Sequence, residues 1–302
     1  MRVASIDCGT NSVRLLIADV ADGALTDVAR RMEIVRLGEG VDRTGMLAPE
    51  AIERTRQALV RYAAEIAEAG VRRVRMCATS ASRDASNAAD FRRMVRSVLD
   101  VDPEVISGDE EARLSFAGAV HGLPADPPYL VVDIGGGSTE FVTGRSTVDH
   151  AMSVDVGCVR MTERHLRSDP PSASEIAAAE KDIVEAVTGA LAAVSGRAAH
   201  TLVGLAGSVT TVTGLALGLP TYEASAIHHA RVSRDAVARV TADLLAGTVA
   251  ERRALPVMHP GRADVIGAGA LILRTIMDCS GHASVVASEH DILDGIAWGL
   301  AV

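Results

Sequence analysis

Val3-Ala4-Ser5-Ile6-Asp7-Cys8-Gly9-Thr10-Asn11-Ser12, near the start of the chain, returns 126 positions on as Tyr129-Leu130-Val131-Val132-Asp133-Ile134-Gly135-Gly136-Gly137-Ser138. In both copies a short apolar strand ends in Asp, a glycine-containing turn with Ser follows, and a second apolar run leaves, over 13–20 and 141–143. This is a β-hairpin built twice. A third strand is expected after each copy, near 27–37 and 148–156, giving two β-meanders.

Helical signals follow each meander. Pro49 suits a first helical position, Ile52, Leu59 and Ile66 recur at seven-residue intervals, and Gly70 suits a C-cap. A strand is expected at 71–79, a helix at 83–99 and a short strand at 104–106. The second half reads as a helix over 172–194, a strand over 201–205, further helices and a closing strand near 284–287. Strands and helices in this alternation predict two α/β domains of related topology.

The composition narrows the function classes. The 302 residues include 30 basic and 39 acidic side chains, a net charge of −9, and 48% are apolar, which is ample for folded cores and unlike a disordered chain or a polybasic nucleic-acid binder. The one lysine, Lys181, lies in a polar, helix-like stretch, and no Gly-Lys-Ser or Gly-Lys-Thr occurs, so a Walker phosphate loop and a protein-kinase signature are excluded. Cys8, Cys77, Cys158 and Cys279 are far apart and read as small core residues of a reduced compartment. Apolar runs such as 265–273 are short for a membrane span, and Asp7 falls where a signal peptide needs its apolar stretch. A cytoplasmic protein without membrane or nucleic-acid partners is expected.

The repeated turn has a chemical reading. Glycines allow backbone N–H groups to approach phosphate oxygens, Ser and Thr hydroxyls add donors, and an Asp at the strand end can hold a divalent cation or its waters. Two such hairpins facing each other across a cleft would bracket a polyphosphate. Hairpin glycines also occur for purely conformational reasons, but two copies with Asp-x-Gly and Ser in the same register favour function. A third glycine turn, Gly204-Leu205-Ala206-Gly207-Ser208-Val209-Thr210-Thr211, joins an apolar strand to a helix-like run, and its amides suit another phosphate or a nucleoside sugar.

Between the halves, Ile106-Ser107-Gly108-Asp109-Glu110-Glu111-Ala112-Arg113 places Ser107 three residues before Glu110, a capping box that accounts for Glu110. Glu111 lies one residue beyond, where a carboxylate either activates a water or complements the helix dipole. Arg83, between a strand and a helix, is placed to clamp phosphate. His228 and His229 are adjacent, so their side chains diverge, and they are assigned no metal. The polar residues of 258–264 read as the cap of a long apolar helix.

Taken together, the segments Asp7–Ser12, Ala78-Thr79-Ser80-Ala81-Ser82-Arg83-Asp84, 106–113, Asp133-Ile134-Gly135-Gly136-Gly137-Ser138-Thr139-Glu140, 204–211 and Pro260-Gly261-Arg262-Ala263-Asp264 resemble the exopolyphosphatase and guanosine pentaphosphatase family, with a likeness to its short actinobacterial members. The resemblance implies an α/β fold of two ribonuclease-H-like (actin-like ATPase) domains around an interdomain cleft. They are expected at 1–113 and 114–289, with a C-terminal helix near 290–302 packing back onto the first. It implies magnesium-dependent release of terminal phosphate, manganese being an alternative metal, and a part in the stringent response. Inorganic polyphosphate is the implied substrate, guanosine pentaphosphate or tetraphosphate a further substrate or inhibitor, and a homodimer the implied assembly. By matching positions, Glu111 corresponds to the water-activating glutamate and Arg83 to the phosphate-contacting arginine. Asp7, Asp133 and Glu140 fall in the metal site. Gly9, Thr10, Asn11, Ser12, Gly135, Gly136, Gly137, Ser138, Thr139, Gly207 and Ser208 fall in the phosphate turns.

Two departures stand out. Larger members continue into a helical region associated with long chains, while this sequence ends at Val302, and Leu293 stands where many members carry an arginine. A small-molecule kinase on the same scaffold, or a non-catalytic polyphosphate or guanosine pentaphosphate sensor, are the competing readings. The first needs an acceptor pocket, and the second has no use for Glu111, Asp133 and Glu140 together.

Overall fold

The computed structural model describes residues 1–21 and 23–301; Val302, the last residue of the expected C-terminal helix, lies outside them. The chain forms two compact units, Met1–Gly118 with the C-terminal segment from Asp291, and Ala119–His290. In chain order the first half holds β1 (Arg2–Cys8), β2 (Ser12–Ala21), β3 (Ala24–Ile34), α1 (Val41–Thr44), α2 (Pro49–Glu68), β4 (Arg73–Ala78), α3 (Ser80–Asp84), α4 (Ala88–Leu99), β5 (Glu104–Val105) and α5 (Gly108–Val120). It continues with β6 (Tyr129–Ile134), β7 (Thr139–Gly144), β8 (Val148–Val154), α6 (Cys158–His165), α7 (Ala173–Ala193), β9 (Thr201–Leu205), α8 (Ala206–Ala216), α9 (Ala224–Ile227) and β10 (Arg231–Ser233). The last elements are α10 (Arg234–Ala246), α11 (Val249–Arg253), α12 (Ile266–Ser280), β11 (Ser284–Ala287) and α13 (Ile292–Leu300).

Each unit is built on the same sheet. Among the described residues the strand order is β3-β2-β1-β4-β5 in the first unit and β8-β7-β6-β9-β11-β10 in the second. In both, the meander strands pair antiparallel and the first strand then pairs parallel with the strand that follows the helical crossover. This duplicated order is the ribonuclease-H-like arrangement, and the β10 edge strand is the addition in the second unit. β10 escaped the sequence reading because three residues carry no measurable alternation; they pair antiparallel with β11.

Alternation in β1 sends Ala4, Ile6 and Cys8 to one face, packed with Leu59 and Tyr62 of α2 and Phe91 and Val95 of α4. The intervening Val3 faces the other way, into a cluster with Leu293 and Ala297 of α13. In the second unit Leu130, Val132, Ile134 and Phe141 meet Ile183 and Val187 of α7 and Leu271 and Ile272 of α12. The start of α7 follows its sequence signal: Ser172 accepts from Glu175 N, and the Glu175 carboxylate accepts from Ser172 N. The helix expected over 83–99 is instead two, α3 and α4. The intervening residues are bound to the 45–47 loop, where Ser86 Oγ donates to Gly45 O, and Asn87 accepts from Leu47 N at 2.8 Å and donates to Leu47 O at 3.0 Å. No helix among the described residues is long and apolar enough to cross a membrane.

Within the first unit α13 meets α5 through two glycines. A Cβ on Gly295 would stand 2.0 Å from Leu114 O, and one on Gly118 would stand 1.9 Å from Asp291 O. Backbone carbonyls cannot swing aside, so Gly295→Ala is expected to destabilise the protein by at least the upper end of the overpacking range of about 1–3 kcal/mol. Urea denaturation checks this against Gly299→Ala in the same helix, whose position is open and exposed. That control gains about 0.5–1 kcal/mol from helix propensity. Equal stability of the two variants would show that the helices separate easily.

Candidate active site

The expected residues of the first unit gather at the carboxyl ends of its parallel strands. Cys8 is in register with Ala78, and Ala78 with Val105. Three connections therefore leave one sheet edge side by side: the 9–12 turn after β1, Thr79 and α3 after β4, and the 106–107 link to α5 after β5. Open α/β sheets bind ligands at such edges. Arg83, in α3, donates from Nη1 to Ile106 O at 3.0 Å and to Glu111 Oε2 at 3.4 Å. The strand ends thus bring together the two side chains expected to be catalytic. Glu111 is only 12% exposed.

The neighbouring Glu110 differs from expectation. Its N–H donates to Ser107 Oγ at 3.2 Å, which is half of a capping box, but its carboxylate is held by Arg75 Nη2 at 2.9 Å. Arg75, on β4, offers a charged partner that outcompetes the reciprocal backbone contact.

The two hairpin turns close in the same way: Gly9 N donates to Ser12 O at 2.9 Å, and Gly135 N donates to Ser138 O at 3.0 Å. Their remaining carbonyls face inward. In the first turn Thr10 O accepts from Gly38 N, and Asn11 O accepts from Val35 and Arg36 N. In the second, Gly135 O accepts from Cys158 N and Gly136 O from Val159 and Arg160 N, so the turn caps the first amides of α6. A Cβ on Gly157 would lie 2.3 Å from Gly136 O, which makes glycine necessary at this seat. A trans peptide sets its C=O and N–H on opposite sides. The amides of Asn11 and Ser12, and of Gly136 and Gly137, therefore point away from the contacts that hold their turns. Outward amides of this kind form an anion cradle.

The hydroxyls behave otherwise. Thr10 Oγ1 bonds Ser80 Oγ at 2.8 Å, and Thr139 Oγ1 donates to Val156 O at 2.5 Å. Ser208 is 3% exposed and turned to the buried Cys158 thiol, which burial pushes up from its ordinary pKa. The hydroxyls of Thr10, Thr139 and Ser208 are each engaged within their own unit of the fold. The third turn emerges beside the second, since Asp133 is in register with Leu205. Arg262 donates to Gly207 O at 3.1 Å and to Thr211 Oγ1 at 3.0 Å. The cap expected from 258–264 for the long apolar helix is not formed: Val265, at the N-cap of α12, gives no side-chain hydrogen bond, and His259 Nδ1 accepts instead from Gly261 N in the short turn over 260–262.

The acidic residues split by unit. Asp7 lies opposite Arg14 on β2, and Asp133 lies opposite Glu140 on β7. Arg14 and Glu140 are themselves 126 residues apart, so one position of the repeated hairpin holds a cation in one copy and an acid in the other. Arg14 donates to Asp7 Oδ2 from Nη2 at 2.7 Å and from Nε at 3.1 Å, and also pairs with Asp291, the N-cap of α13. Asp294, the other half of that cap, is held by Arg30 at 2.7 Å. Burial pushes the Asp7 carboxyl up and Arg14 opposes the shift. Asp133 and Glu140 are 8% and 1% exposed, and Ser153 Oγ donates to Glu140 at 2.8 Å.

No group of three or more His, Cys, Asp and Glu side chains is gathered for a metal among the described residues. Of the expected acids, Asp133 and Glu140 form a cross-strand pair in the second unit, and Asp7 faces Arg14 in the first. Two buried like charges opposed on one sheet face are destabilising alone. They suit magnesium, which takes one or two carboxylates and completes its shell with phosphate oxygens and water.

Arg14, Asp291, Arg160 and Arg262, which contact these turns and strand-end acids, are not among the residues expected from the sequence. The repeat itself signals Arg14, through its alignment with Glu140; the other three depend on contacts distant in sequence.

Comparison with known proteins agrees with the resemblance carried by the motifs. Residues 16–299 match the model of the Ppx/GppA phosphatase family. The chain is 50% identical to Exopolyphosphatase 2 of Mycobacterium tuberculosis, over 99% of this chain and 98% of that one. It superposes on the crystal structure of an exopolyphosphatase-like protein with a TM-score of 0.95 and 41% identity, covering 99% of this chain and 98% of that one. For an Aquifex aeolicus Ppx/GppA family member the TM-score is 0.85, with 31% identity over 100% of this chain and 97% of that one. Sequence, sheet order and whole-chain similarity agree, and the chain belongs to the Ppx/GppA phosphatase family.

Proposed function

We propose that the protein is an exopolyphosphatase that removes the terminal phosphate of inorganic polyphosphate by direct attack of water. The observation that carries this reading is the Glu111 carboxylate, held by Arg83 at the sheet edge that also bears an amide-lined turn. The name of the Mycobacterium tuberculosis relative supports it. Glu111 takes a proton from water as the water oxygen bonds the terminal phosphorus. The bridging P–O bond breaks, and its electron pair leaves with the shortened chain. Arg83 and the outward amides of the 9–12 turn offset charge on the equatorial oxygens. A divalent cation, magnesium in this reading, would be held by Asp133 and Glu140 and would neutralise phosphate charge. Guanosine pentaphosphate presents the same terminal anhydride and is proposed as a second substrate.

The reading is tested by phosphate release from polyphosphates of defined length, assayed by chain ends. Residues 1–113 carry 17 basic and 19 acidic side chains, a balance of −2, and residues 114–302 carry 13 and 20, a balance of −7. Neither half offers a general basic track, so kcat/KM is expected to be highest for chains of a few phosphates and to fall for chains of hundreds. The deficit should shrink as salt rises, because charges are screened beyond about 8 Å at physiological ionic strength. Higher efficiency on the longest chains would refute the charge argument, and no phosphate release from any chain would refute the function.

A further inference from the structure

We infer that the segment over 35–47 is a brace between the first glycine turn and the helix that carries Arg83, and that Asn87, which fastens its far end, is a positioning residue for Arg83. The inference rests on the proposed function and extends it. The near end of the segment lies on the turn. Val35 N and Arg36 N donate to Asn11 O at 3.0 and 2.9 Å, and Gly38 N donates to Thr10 O at 2.8 Å. With these carbonyls taken up, the amides of Asn11 and Ser12 are left pointing the other way. At Gly38 the segment meets turn and helix together: a Cβ there would stand 2.4 Å from Thr10 Cγ2 and 3.0 Å from the Cβ of Ala81, in α3. A glycine lets the chain pass that close to both.

The far end is fastened just beyond Arg83. Gly45 O accepts from Ser86 N at 2.9 Å and from Ser86 Oγ at 3.0 Å. The Asn87 amide makes two bonds to one residue, accepting from Leu47 N at 2.8 Å and donating to Leu47 O at 3.0 Å. Leu47 is itself anchored, because Leu37, Val41 and Leu47 of the segment are buried in one cluster with Ala81 and Ala85, which flank Arg83 in sequence. The helix α3 is five residues long, too short to hold a direction by its own hydrogen bonds. Its direction comes from its two ends: Thr79 N on Cys8 O before it, and the Ser86-Asn87 fastening after it. Arg83 must be aimed closely, since its Nη1 serves both Ile106 O and Glu111 Oε2. A carboxamide offers a donor and an acceptor side by side without charge, which a carboxylate does not. One segment thereby sets the spacing between the amides that receive a phosphate and the guanidinium that clamps it.

The test is a double-mutant cycle of Asn87→Ala with Arg83→Gln. Two readouts are used: kcat/KM for phosphate release from tripolyphosphate, and the calorimetric Kd of imidodiphosphate, whose P–N–P bridge resists hydrolysis. Asn87→Ala is expected to lower kcat/KM about 10- to 100-fold, the cost of misplacing a site group by about 1 Å. Its Kd should rise by up to about 10-fold, part of the worth of a charged hydrogen bond. Asn87→Asp, which keeps the acceptor and loses the donor, should fall with it. In the Arg83→Gln background the same substitution should change either quantity by no more than about twofold, because two residues that act through one contact are not additive. Val20→Ala, buried on the opposite face of the sheet with α13, is the stability control and should leave kcat/KM unchanged while lowering the thermal midpoint.

A segment that serves only stability would leave kcat/KM of Asn87→Ala at the wild-type value, or would lower it by the same factor with and without Arg83. Either result overturns the inference, as does an equal loss in Val20→Ala. If Asn87→Ala does not fold, Asn87→Asp takes its place in the cycle; if Arg83→Gln turns over too slowly to measure, the cycle is judged on Kd. Wild-type protein that binds imidodiphosphate but releases no phosphate would refute the proposed function while leaving Asn87 to be judged by the Kd cycle. Wild-type protein that does neither refutes both.

Discussion

Glu111→Gln is expected to lower kcat for phosphate release by about 10²–10⁴, the usual worth of a general base, while KM stays the same or falls. The substitution keeps the shape of the side chain and its capacity to accept from Arg83 Nη1, and removes the ability to take a proton. Glu110→Gln is the matched control, one residue away on α5. Its carboxylate is 47% exposed and engaged with Arg75, so its loss should leave turnover within a few-fold of wild type. An exposed ion pair contributes at most about 1 kcal/mol to stability. The contrast tests the geometry directly: two adjacent glutamates begin one helix, and the structure sends one to an outward arginine and the other to Arg83. Turnover within a few-fold of wild type in Glu111→Gln would reduce Glu111 to an acid that complements the helix start.

How far the fold was legible follows from the range of the interactions involved. The duplicated hairpin is local, and its Asp, glycines and Ser stand in one continuous segment, so it could be read twice and the α/β class inferred from it. The break at 85–87 was not legible, because it depends on Asn87 reaching a loop forty residues earlier. The crossing of α13 on α5 was also hidden, since Gly118 and Gly295 carry meaning only when two helices bring backbones together. At the site, strand-end residues such as Arg83 and Glu111 could be named from motif position. The hydroxyls of Thr10, Thr139 and Ser208 look in sequence like ligand donors, yet each has a partner within the fold. The distinction between Asp7 and Asp133 was present in the sequence all along, as arginine at 14 and glutamate at 140, and becomes informative once antiparallel register sets each against its strand-end acid.

That distinction leads to the second large effect. Phosphate release is expected to fall to background in excess chelator and to return with magnesium or manganese, because a cation stabilises several kcal/mol of charge in phosphoryl transfer, equivalent to about 10²–10⁴ in rate. Manganese binding, followed by its paramagnetic signal without substrate, should be lost in Asp133→Asn and in Glu140→Gln and retained in Asp7→Asn, whose carboxylate already faces Arg14. Stability gives an independent sign. Without a cation, Glu140→Gln removes one of two buried, opposed acids and should raise the thermal midpoint; with a cation, the wild type should gain stability by mass action and the variant should not. The pattern separates a metal pair from an ordinary buried hydrogen-bonding pair. In the latter case Glu140→Gln would respond to the cation as the wild type does, and manganese would bind all four proteins alike. Full activity in chelator would remove the cation from the mechanism and leave Arg83 and the turn amides as the counter-charges to the departing chain.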